Sequence, residues 1–512
     1  MGALIGVDIG TGGVRCLAID EEGQVLAAAD ETYPSHSPRP GWSEQEPEHW
    51  WKATRNVIKR TAAQVSGDVA AVGLAGQMHG AVFLDRNDDV IRPALLWNDQ
   101  RTAAQCAAIT ELVGADRLKE ITGNPALTGF QAPKILWLRE AEPECYARVA
   151  SVLLPKDFVR LRLTGDHATD VSDASGTLLM DLRRRSWSSV ILEALDIQSA
   201  WMPPVFESPQ PTGAISVQHS EELGLAAGTP VAAGAGDNAA AAVGMGVVAP
   251  GLASCSIGTS GVMFAHADAP QADPSGRIHT FCHAVPGRYH HMGVTLSAGA
   301  ALRWWRDVAE STDFDALMRL AGNVSPGAEG LLFLPYLSGE RTPHLDPRAR
   351  AAFVGLTTRH GLAHMTRAVV EGVAFSLRES LDIMVSLGID VREIRATGGG
   401  ARSTLWRQVL ADVLGRPIVR TAVDEGPAYG AALLAGVTVG TFDNVEQACS
   451  VVKVNPEMSA PDPVRARLYD EHYSVYRSLY PATAPAMHQL SMLASPERAP
   501  SSGADQPPRE RR

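Results

Sequence analysis

A strand–turn–strand unit that occurs twice is the feature that most constrains the fold of this 512-residue chain. Each unit is a tight glycine-rich turn between two short apolar runs. The first has Gly10–Gly13 between Leu4–Val7 and Val14–Ile19, and the second has Gly258–Gly261 between Leu252–Ile257 and Val262–Ala265. Each unit opens one half of the chain, and a chain of this length exceeds what one hydrophobic core serves. The repeat therefore predicts two related domains that face each other.

The order of the predicted elements places both halves in the α/β class. Apolar strands such as Val69–Leu74 alternate with amphipathic helices such as Trp50–Val65, which is typical of layered α/β folds. We place the boundary near Met245–Gly251, which gives domains at 1–246 and 247–488. The tail at 489–512 is rich in Pro, Ser, Arg and Glu, and it is expected to be disordered.

Composition excludes several functional classes. The net charge of −12 argues against nucleic acid as the main partner. No lysine follows a glycine, so the chain has no Walker A loop, and any ATP must be bound by another scaffold. The six cysteines form no CxxC pair, and no signal peptide is recognised, so we expect a cytoplasmic protein. The uncharged stretch 238–265 is broken by glycines and a proline, which favours a buried helix, a turn and a strand over a membrane span.

The first glycine turn is a candidate phosphate site. Consecutive backbone N–H groups of such a turn can bind phosphate oxygens, and glycine allows positive φ angles and close approach. Thr11 adds a hydroxyl donor, Arg15 adds charge, and Asp8 at the strand end can hold Mg²⁺. The alternative is a type I′ hairpin with a polar cap. The repeat at Gly258–Gly261 favours the phosphate site, since two such turns could clamp a nucleotide.

Asp237 is the candidate general base. It follows Gly234-Ala235-Gly236 at a strand end and precedes a helix of small residues, within reach of a substrate hydroxyl. The alternative is a helix N-cap that only satisfies backbone N–H groups.

Three further candidate segments lie at the ends of predicted strands. Gln77–Gly80 suits a polyhydroxylated substrate, although a lone His79 is often structural. In Trp97–Arg101, the tryptophan could stack on a sugar and Asp99 could accept hydroxyl donors, or the segment is a strand cap with an ion pair. The triple glycine Gly398–Gly400 could let the backbone lie against adenine or ribose.

Taken in order, these segments resemble the FGGY carbohydrate kinases from residue 1 to about residue 480. Ala351–Leu356, followed after seven residues by His364–Glu371, is similar to the C-terminal signature of that family. Gly129–Leu138 meets the N-terminal signature in part, with Gln131 where Thr, Ser or Pro is usual. Gln77–Gly80 and Pro335–Pro343 are similar to the members that act on xylulose, and the Arg-Glu pair of the glycerol-specific members is missing.

The resemblance implies a two-domain, actin-like (ribonuclease H-like) ATPase fold with an interdomain cleft. It implies transfer of phosphate from MgATP to the 5-hydroxyl of D-xylulose, with Asp237 as proton acceptor and Asp8 organising Mg²⁺. The implied sugar contacts are Met78, His79, Trp97, Asp99, Asp237 and Asn238. The implied nucleotide contacts are Thr11, Gly12, Gly13, Arg15, Thr259, Gly299, Gly399 and Gly400.

Alternatives remain open within this reading. The acceptor could be another ketopentose or polyol, such as ribulose or arabinitol, because one or two hydroxyl contacts decide selectivity. The same fold also supports chaperone or filament ATPases and a catalytically idle sugar sensor. A homodimer is a family-level expectation.

Overall fold

The computed structural model describes residues 2–311, 313–423 and 425–493. In the first half, the strands are β1 Ala3–Ile9, β2 Gly13–Ile19, β3 Val25–Thr32, β4 Glu44–Gln45, β5 Val69–Gly76, β6 Val82–Leu84, β7 Ala94–Leu95, β8 Ser151–Leu153, β9 Thr169–Asp170, β10 Met180–Asp181, β11 Ser186–Trp187, β12 Val205–Phe206, β13 Pro211–Ala214, β14 Pro230–Ala232 and β15 Ala235–Gly236. The helices are α1 Pro47–Ala62, α2 Ala103–Val113, α3 Ala115–Thr122, α4 Gln131–Ala141, α5 Pro143–Tyr146, α6 Pro155–Thr164, α7 Val171–Ala174, α8 Ser189–Ala194, α9 Val217–Leu223 and α10 Asp237–Gly244.

In the second half, the strands are β16 Gly251–Ile257, β17 Gly261–Ala267, β18 His279–Cys282, β19 Tyr289–Thr295, β20 Leu332–Leu334, β21 Ala352–Val354, β22 Val391–Thr397 and β23 Ile418–Val419. The helices are α11 Gly299–Val308, α12 Phe314–Gly322, α13 Leu362–Ser386, α14 Thr404–Leu414, α15 Gly426–Thr438, α16 Val445–Ala448 and α17 Pro463–Leu493. Short 3₁₀ turns occur at Ser175–Thr177, Ser199–Trp201, Ala328–Gly330, Gly399–Arg402 and Cys449–Val451.

Each half contains one large mixed sheet, and the two sheets have the same plan. In the first, β1 lies between antiparallel β2 and parallel β5, in the order β13-β14-β5-β1-β2-β3. In the second, β16 lies between antiparallel β17 and parallel β22, in the order β18-β19-β17-β16-β22-β23. The strand–turn–strand repeat in the sequence therefore forms the inner strands of a sheet topology that occurs twice.

The first sheet is covered by helices from both halves of the chain. Residues alternate along β1, so Ile5 and Val7 pack towards α1 in one core. Leu4 belongs to another core with α15, which comes from the second half. A Cβ atom at Gly6 would clash with the carbonyl oxygen of Ala428 on α15. The two halves are thus joined by a shared core, not only by a linker.

Small residues allow α15 to approach its neighbours closely. A Cβ atom at Gly73 of β5 would clash with the carbonyl oxygen of Ala431, and one at Gly430 would clash with that of Ala240 on α10. The backbone of α15 therefore lies directly against β5 and α10. Along β1, Leu4 contacts the C-terminal part of α15 at Gly436, and Gly6 contacts Ala428. The N-terminal end of α15 therefore points towards Asp8.

Most predicted elements are present, with two corrections. The strand predicted at Leu95–Trp97 is shorter and ends at Leu95, because Trp97 turns towards the glycine hairpin. Residues 489–493, predicted to be disordered, form the end of α17, where Met487 still packs in the core. The rest of that tail, 494–512, lies outside the described residues. Within the described ranges, no helix combines the length and apolar character needed to cross a bilayer.

Candidate active site

Asp8 lies at the C-terminal end of β1, beside β5. Strand alternation places its side chain on the face that α15 covers, and its Oδ1 atom is buried without a hydrogen-bond partner among the described residues. Burial raises the pKa of Asp8 to about 7, and the charge of Asp237 adds to the rise. A buried carboxylate oxygen with no protein partner can bind a cation or accept a proton.

Asp237 is the first residue of α10, next to the end of β5. Gly236 pairs with Gly76, and Gly76 pairs with Ile9 on its other side, so β15, β5 and β1 are neighbours. The backbones of Asp8 and Asp237 are therefore separated by two strand spacings, roughly 10 Å, and their side chains can converge. The Oδ1 atom of Asp237 accepts hydrogen bonds from the N–H and Nδ2 of Asn238, at 2.7 and 2.8 Å. No protein donor bonds to its Oδ2 atom within the described ranges.

The electrostatics of Asp237 suit a base. Burial raises its pKa to about 6, and the hydrogen bonds from Asn238 oppose the rise. A carboxylate with this pKa is mostly ionised at pH 7 and is more basic than an ordinary aspartate. Its hydrogen bonds are made within the first turn of its helix, so it does not act as a side-chain N-cap.

The glycine turn after Asp8 differs from what was expected. None of Gly10, Gly12 and Gly13 has a positive φ, so the prediction that the turn needs positive φ is wrong, and a type I′ hairpin is excluded. Gly13 is required for another reason, since a Cβ there would lie 2.5 Å from the carbonyl oxygen of Glu31. Gly12 is exposed, and nothing lies within 4 Å of a Cβ built there.

Thr11 connects the glycine turn to the predicted sugar-binding segments. Its hydroxyl donates to Oε1 of Gln77 at 3.0 Å and accepts from Nε1 of Trp97 at 2.9 Å. The carbonyl oxygen of Thr11 accepts from Nε2 of Gln45 at 2.7 Å. Because its proton is already donated to Gln77, Thr11 does not supply the predicted hydroxyl donor to a phosphate. It instead fixes Trp97 and Gln77 relative to the turn.

Met78 and His79 lie at the end of β5, beside Asp237. Met78 is buried, and its side chain covers Gly236, where a Cβ would lie 2.8 Å from the Met78 Cγ. His79 has a φ of 68°, and its Nδ1 lies 2.6 Å from the carbonyl oxygen of Gly176. Burial lowers the pKa of His79 to about 3, so the ring is neutral. A carbonyl only accepts, so Nδ1 carries the proton and Nε2 is left as an acceptor for a hydroxyl.

Asp99 does not face the site, which corrects its predicted role in sugar binding. It is fully buried, its Oδ2 accepts from the N–H of Ser43 at 2.6 Å, and both oxygens accept from Arg101. Arg101 also pairs with Glu44 at 2.7 Å and lies over the ring of Trp42 at 3.6 Å. The alternative reading, a structural ion pair, is what the structure contains.

Across the cleft, the second glycine turn is packed against α11. The N–H of Gly299 donates to the carbonyl oxygen of Gly258 at 2.7 Å, and a Cβ at Gly299 would clash with that oxygen. The carbonyl oxygen of Thr259 accepts from the N–H groups of Ala298 and Ala300. The Thr259 residue is exposed. Gly299 therefore shapes the turn by close packing.

A cavity of about 450 Å³ lies between the two halves, lined by Arg15, Thr397, Gly398, Gly399, Arg402, Glu425 and Gly426. Gly399 is open to it, with nothing within 4 Å of a Cβ, whereas Gly400 packs on Ile257. Gly426 is the first residue of α15, and a helix N-terminus favours an anion. The predicted nucleotide contact at Gly399 is thus placed in the cavity, and Gly400 supports the wall behind it.

Arg15 reaches the cavity but is already paired. Its Nε and Nη2 donate to Oε2 of Glu425 at 3.0 and 2.7 Å, and its Nη1 donates to Asp30 at 3.0 Å. The positive charge that was expected for phosphate binding is therefore neutralised by two carboxylates. The Arg15–Glu425 pair joins the two halves across the cleft.

Several residues of the site were missed from the sequence. Lys134 is buried and donates from Nζ to the carbonyl oxygen of His79 at 2.7 Å, while Gln131 donates to that of Gly80 at 2.9 Å. Both fall in the N-terminal signature segment, which was the only signal for them. Arg341 is half-buried, its charge lowers the pKa of His79, and its guanidinium forms no hydrogen bond or ion pair within the described ranges.

The chain is similar to known proteins over most of its length. A model of the N-terminal domain of the FGGY family of carbohydrate kinases matches residues 3–244, and one of its C-terminal domain matches residues 253–439. The xylulose kinase of Escherichia coli strain K12 is 44% identical over 490 residues, which cover 94% of this chain and 99% of that protein. The xylulose kinase of Lactococcus lactis is 40% identical over 95% of this chain and 98% of that protein. A crystal structure described as a xyloylose kinase from Brucella ovis has a TM-score of 0.89 at 40% identity and covers 94% of this chain and 100% of that one.

Proposed function

This chain belongs to the FGGY family of carbohydrate kinases, and we propose that it transfers the γ-phosphate of ATP to D-xylulose to give D-xylulose 5-phosphate. The relatives named xylulose kinase support this substrate, because their identity of 40–44% extends over nearly the whole chain. ATP as the phosphate donor follows from the family.

The Asp237 carboxylate is the observation that carries the proposal. It lies beside the sugar-binding segment, faces Asp8, and has a pKa of about 6. Asp237 accepts the proton of the 5-hydroxyl while that oxygen forms a bond to the γ-phosphorus, and the bond to the β,γ-bridging oxygen breaks as ADP leaves. Because the carboxylate is ionised near neutral pH and still basic, it can hold the proton that is released.

The residues around Asp237 orient the sugar in this proposal. His79 Nε2 accepts a hydrogen bond from a sugar hydroxyl, Met78 packs against the carbon chain, and Asn238 lies beside the reacting end. Trp97, which is 36% exposed and held by Thr11, supplies an indole ring. This arrangement offers acceptors and apolar surface together, as a ketopentose requires.

The cavity between the halves is the proposed nucleotide site. Gly399 gives a flat backbone surface for adenine or ribose, and Gly426 at the N-terminus of α15 lines the same cavity. In this proposal the turns at Gly12–Gly13 and Thr259 bind the phosphates. The buried Oδ1 of Asp8, which has no hydrogen-bond partner in the described part of the chain, fits a Mg²⁺ ion. Mg²⁺ binds proteins through one or two carboxylates and otherwise through phosphates and water. When bound, Mg²⁺ supplies charge stabilisation for the transferred phosphoryl group.

Three further expectations belong to the proposal. We assign residues 1–246 to the sugar and the base, and residues 247–488 to the nucleotide. We place the reaction in the cytoplasm, which the six free cysteines support. A homodimer stays a prediction, and multi-angle light scattering of the purified protein would test it.

A panel of sugars tests the substrate. ADP release is measured with D-xylulose, D-ribulose, D-arabinitol, glycerol and D-gluconate. D-gluconate is included because the guanidinium of Arg341, which forms no ion pair with any described residue, could bind a carboxylate. We expect D-xylulose to have the highest kcat/KM. A higher kcat/KM for another sugar would replace the substrate but keep the reaction, and no sugar-dependent ADP release would overturn the proposed function.

A further inference from the structure

Beneath the catalytic pair lies a cluster of charged residues that is completely buried. Lys156 of α6 has its Nζ 2.7 Å from Asp157, 3.0 Å from Asp170 and 3.4 Å from Asp173, and all four side chains are 0% exposed. Although burial disfavours its charge, the three carboxylates raise the pKa of Lys156. Burying so many charges is unfavourable unless each is paired, so such a cluster needs a reason other than stability.

The cluster is connected to the backbone that carries Asp237. Asp170 Oδ2 lies 2.6 Å from Ser172 Oγ, and the N–H of Gly236 lies 3.1 Å from the same Oγ atom. A backbone N–H only donates, so the Ser172 hydroxyl accepts from Gly236 and donates its own proton to Asp170. A single hydroxyl therefore links the buried carboxylate to the residue just before Asp237.

Gly236 has no side chain with which to hold itself in place. It is the N-cap residue of α10, it makes no side-chain cap, and it is fully buried between β5 and Met78. Its backbone angles set the direction in which the Cα–Cβ bond of Asp237 points. The hydrogen bond to Ser172 is a contact outside the sheet that helps to hold these angles.

We propose that Ser172 is a positioning residue for phosphoryl transfer, and that its hydroxyl, held by Asp170, fixes Gly236 so that Asp237 points at the attacking hydroxyl. This inference rests on the proposed function, with Asp237 as the proton acceptor. The Lys156 cluster serves as the rigid base of this link.

Ser208 provides a matched control. It is also fully buried, and its hydroxyl donates to the same Asp170 Oδ2 at 2.9 Å, but among the described residues its side chain forms no hydrogen bond to Gly236. Ser208→Ala thus removes the same kind of hydrogen bond from the same acceptor without touching the catalytic turn. The backbone carbonyl of Ser208, which accepts from Gly234, stays in place.

The experiment compares Ser172→Ala, Ser172→Thr and Ser208→Ala in the full chain, with the sugar that the parent turns over best. For Ser172→Ala we expect kcat to fall roughly 10- to 100-fold, with KM for sugar and ATP within about threefold, because a displaced base slows chemistry without weakening binding. Ser208→Ala should stay within about threefold of the parent in both constants. Ser172→Thr keeps the hydroxyl and should recover most of kcat.

The outcomes separate the inference from the function on which it depends. The inference is overturned if Ser172→Ala and Ser208→Ala have the same kcat, or if Ser172→Ala raises KM and leaves kcat unchanged. If circular dichroism shows that Ser172→Ala is unfolded at the assay temperature, Ser172→Cys takes its place. This variant keeps the volume and weakens both hydrogen bonds, and its kcat and KM are compared with those of Ser208→Ala in the same way. Asp237→Asn is assayed in parallel, and its retaining full turnover would instead refute the proposed base.

Discussion

Replacing Asp237 with Asn should abolish most activity and at the same time make the protein more stable. The side chain keeps its size, and the Asn oxygen can still accept from the N–H of Asn238. The change removes only the ionisable group. As the proposed proton acceptor, its loss should lower kcat by a hundredfold or more.

The expected gain in stability follows from the pKa of Asp237. In the folded protein this pKa is about 6, against an ordinary value of 3.8, and each pKa unit corresponds to about 1.36 kcal/mol. The ionised carboxylate therefore destabilises the fold by at most about 3 kcal/mol. Because the side chain partly meets water, we expect about half of this, about 1.5 kcal/mol.

The sign of the pH dependence distinguishes this effect from a packing effect. Between pH 3.8 and about 6 the folded state binds more protons than the unfolded state, so stability falls as pH rises through that window. The destabilisation is complete above pH 6 and absent below pH 3.8. The advantage of Asp237→Asn should therefore be full at pH 8 and vanish towards pH 4.

Thermal unfolding by circular dichroism, without Mg²⁺ or nucleotide, measures the stability at pH 4, 6 and 8, and a coupled ADP assay measures kcat. Asp116→Asn is the control, since that carboxylate is fully exposed and should change neither quantity. A variant that is less stable than the parent at pH 8 would refute the burial argument. A variant with kcat within a few-fold of the parent would refute the base.

Three further substitutions have distinct expected results. Gly73→Ala should destabilise the protein by about 3 kcal/mol or more, because its methyl group meets the backbone of α15. Gly361→Ala, where a Cβ has open space, should change the melting temperature little. Equal melting temperatures of the two variants would contradict the close packing. Asp99→Asn should lower stability by about 3 kcal/mol, since it breaks a buried ion pair with Arg101, and it should leave KM for the sugar within about twofold. A large rise in KM at unchanged stability would restore the predicted role of Asp99 in sugar binding. Thr11→Val should lower kcat/KM about tenfold, because it breaks both hydrogen bonds to the sugar-binding segments, while Thr11→Ser should not. Kinetics with each substrate varied in turn measure this. Equal kcat/KM values for the two variants would mean that these hydrogen bonds have no function.

Some features of the active site could not be predicted because their partners are far apart in the chain. The proton of Thr11 is donated to Gln77, 66 residues away, and Arg15 pairs with Glu425, 410 residues away. From the sequence, both side chains were free to bind phosphate. A role of Asp99 in sugar binding was likewise predicted from its place at a strand end, but its oxygens accept hydrogen bonds from Ser43 and Arg101.

The sequence by itself determined the repeated sheets and the ends of their strands. Runs of apolar residues, glycine turns and a polar residue at the end of a strand are local patterns, and local patterns set local structure. They placed Asp8, Met78, His79 and Asp237 at strand ends, where the structure brings them together. Only the tertiary structure decided which of the polar groups are free, because a hydrogen bond or ion pair depends on which distant segment packs beside it. The same holds for the Lys156 cluster and for the packing of α15 on the first sheet. Neither set of contacts is encoded by a pattern within one segment of the sequence.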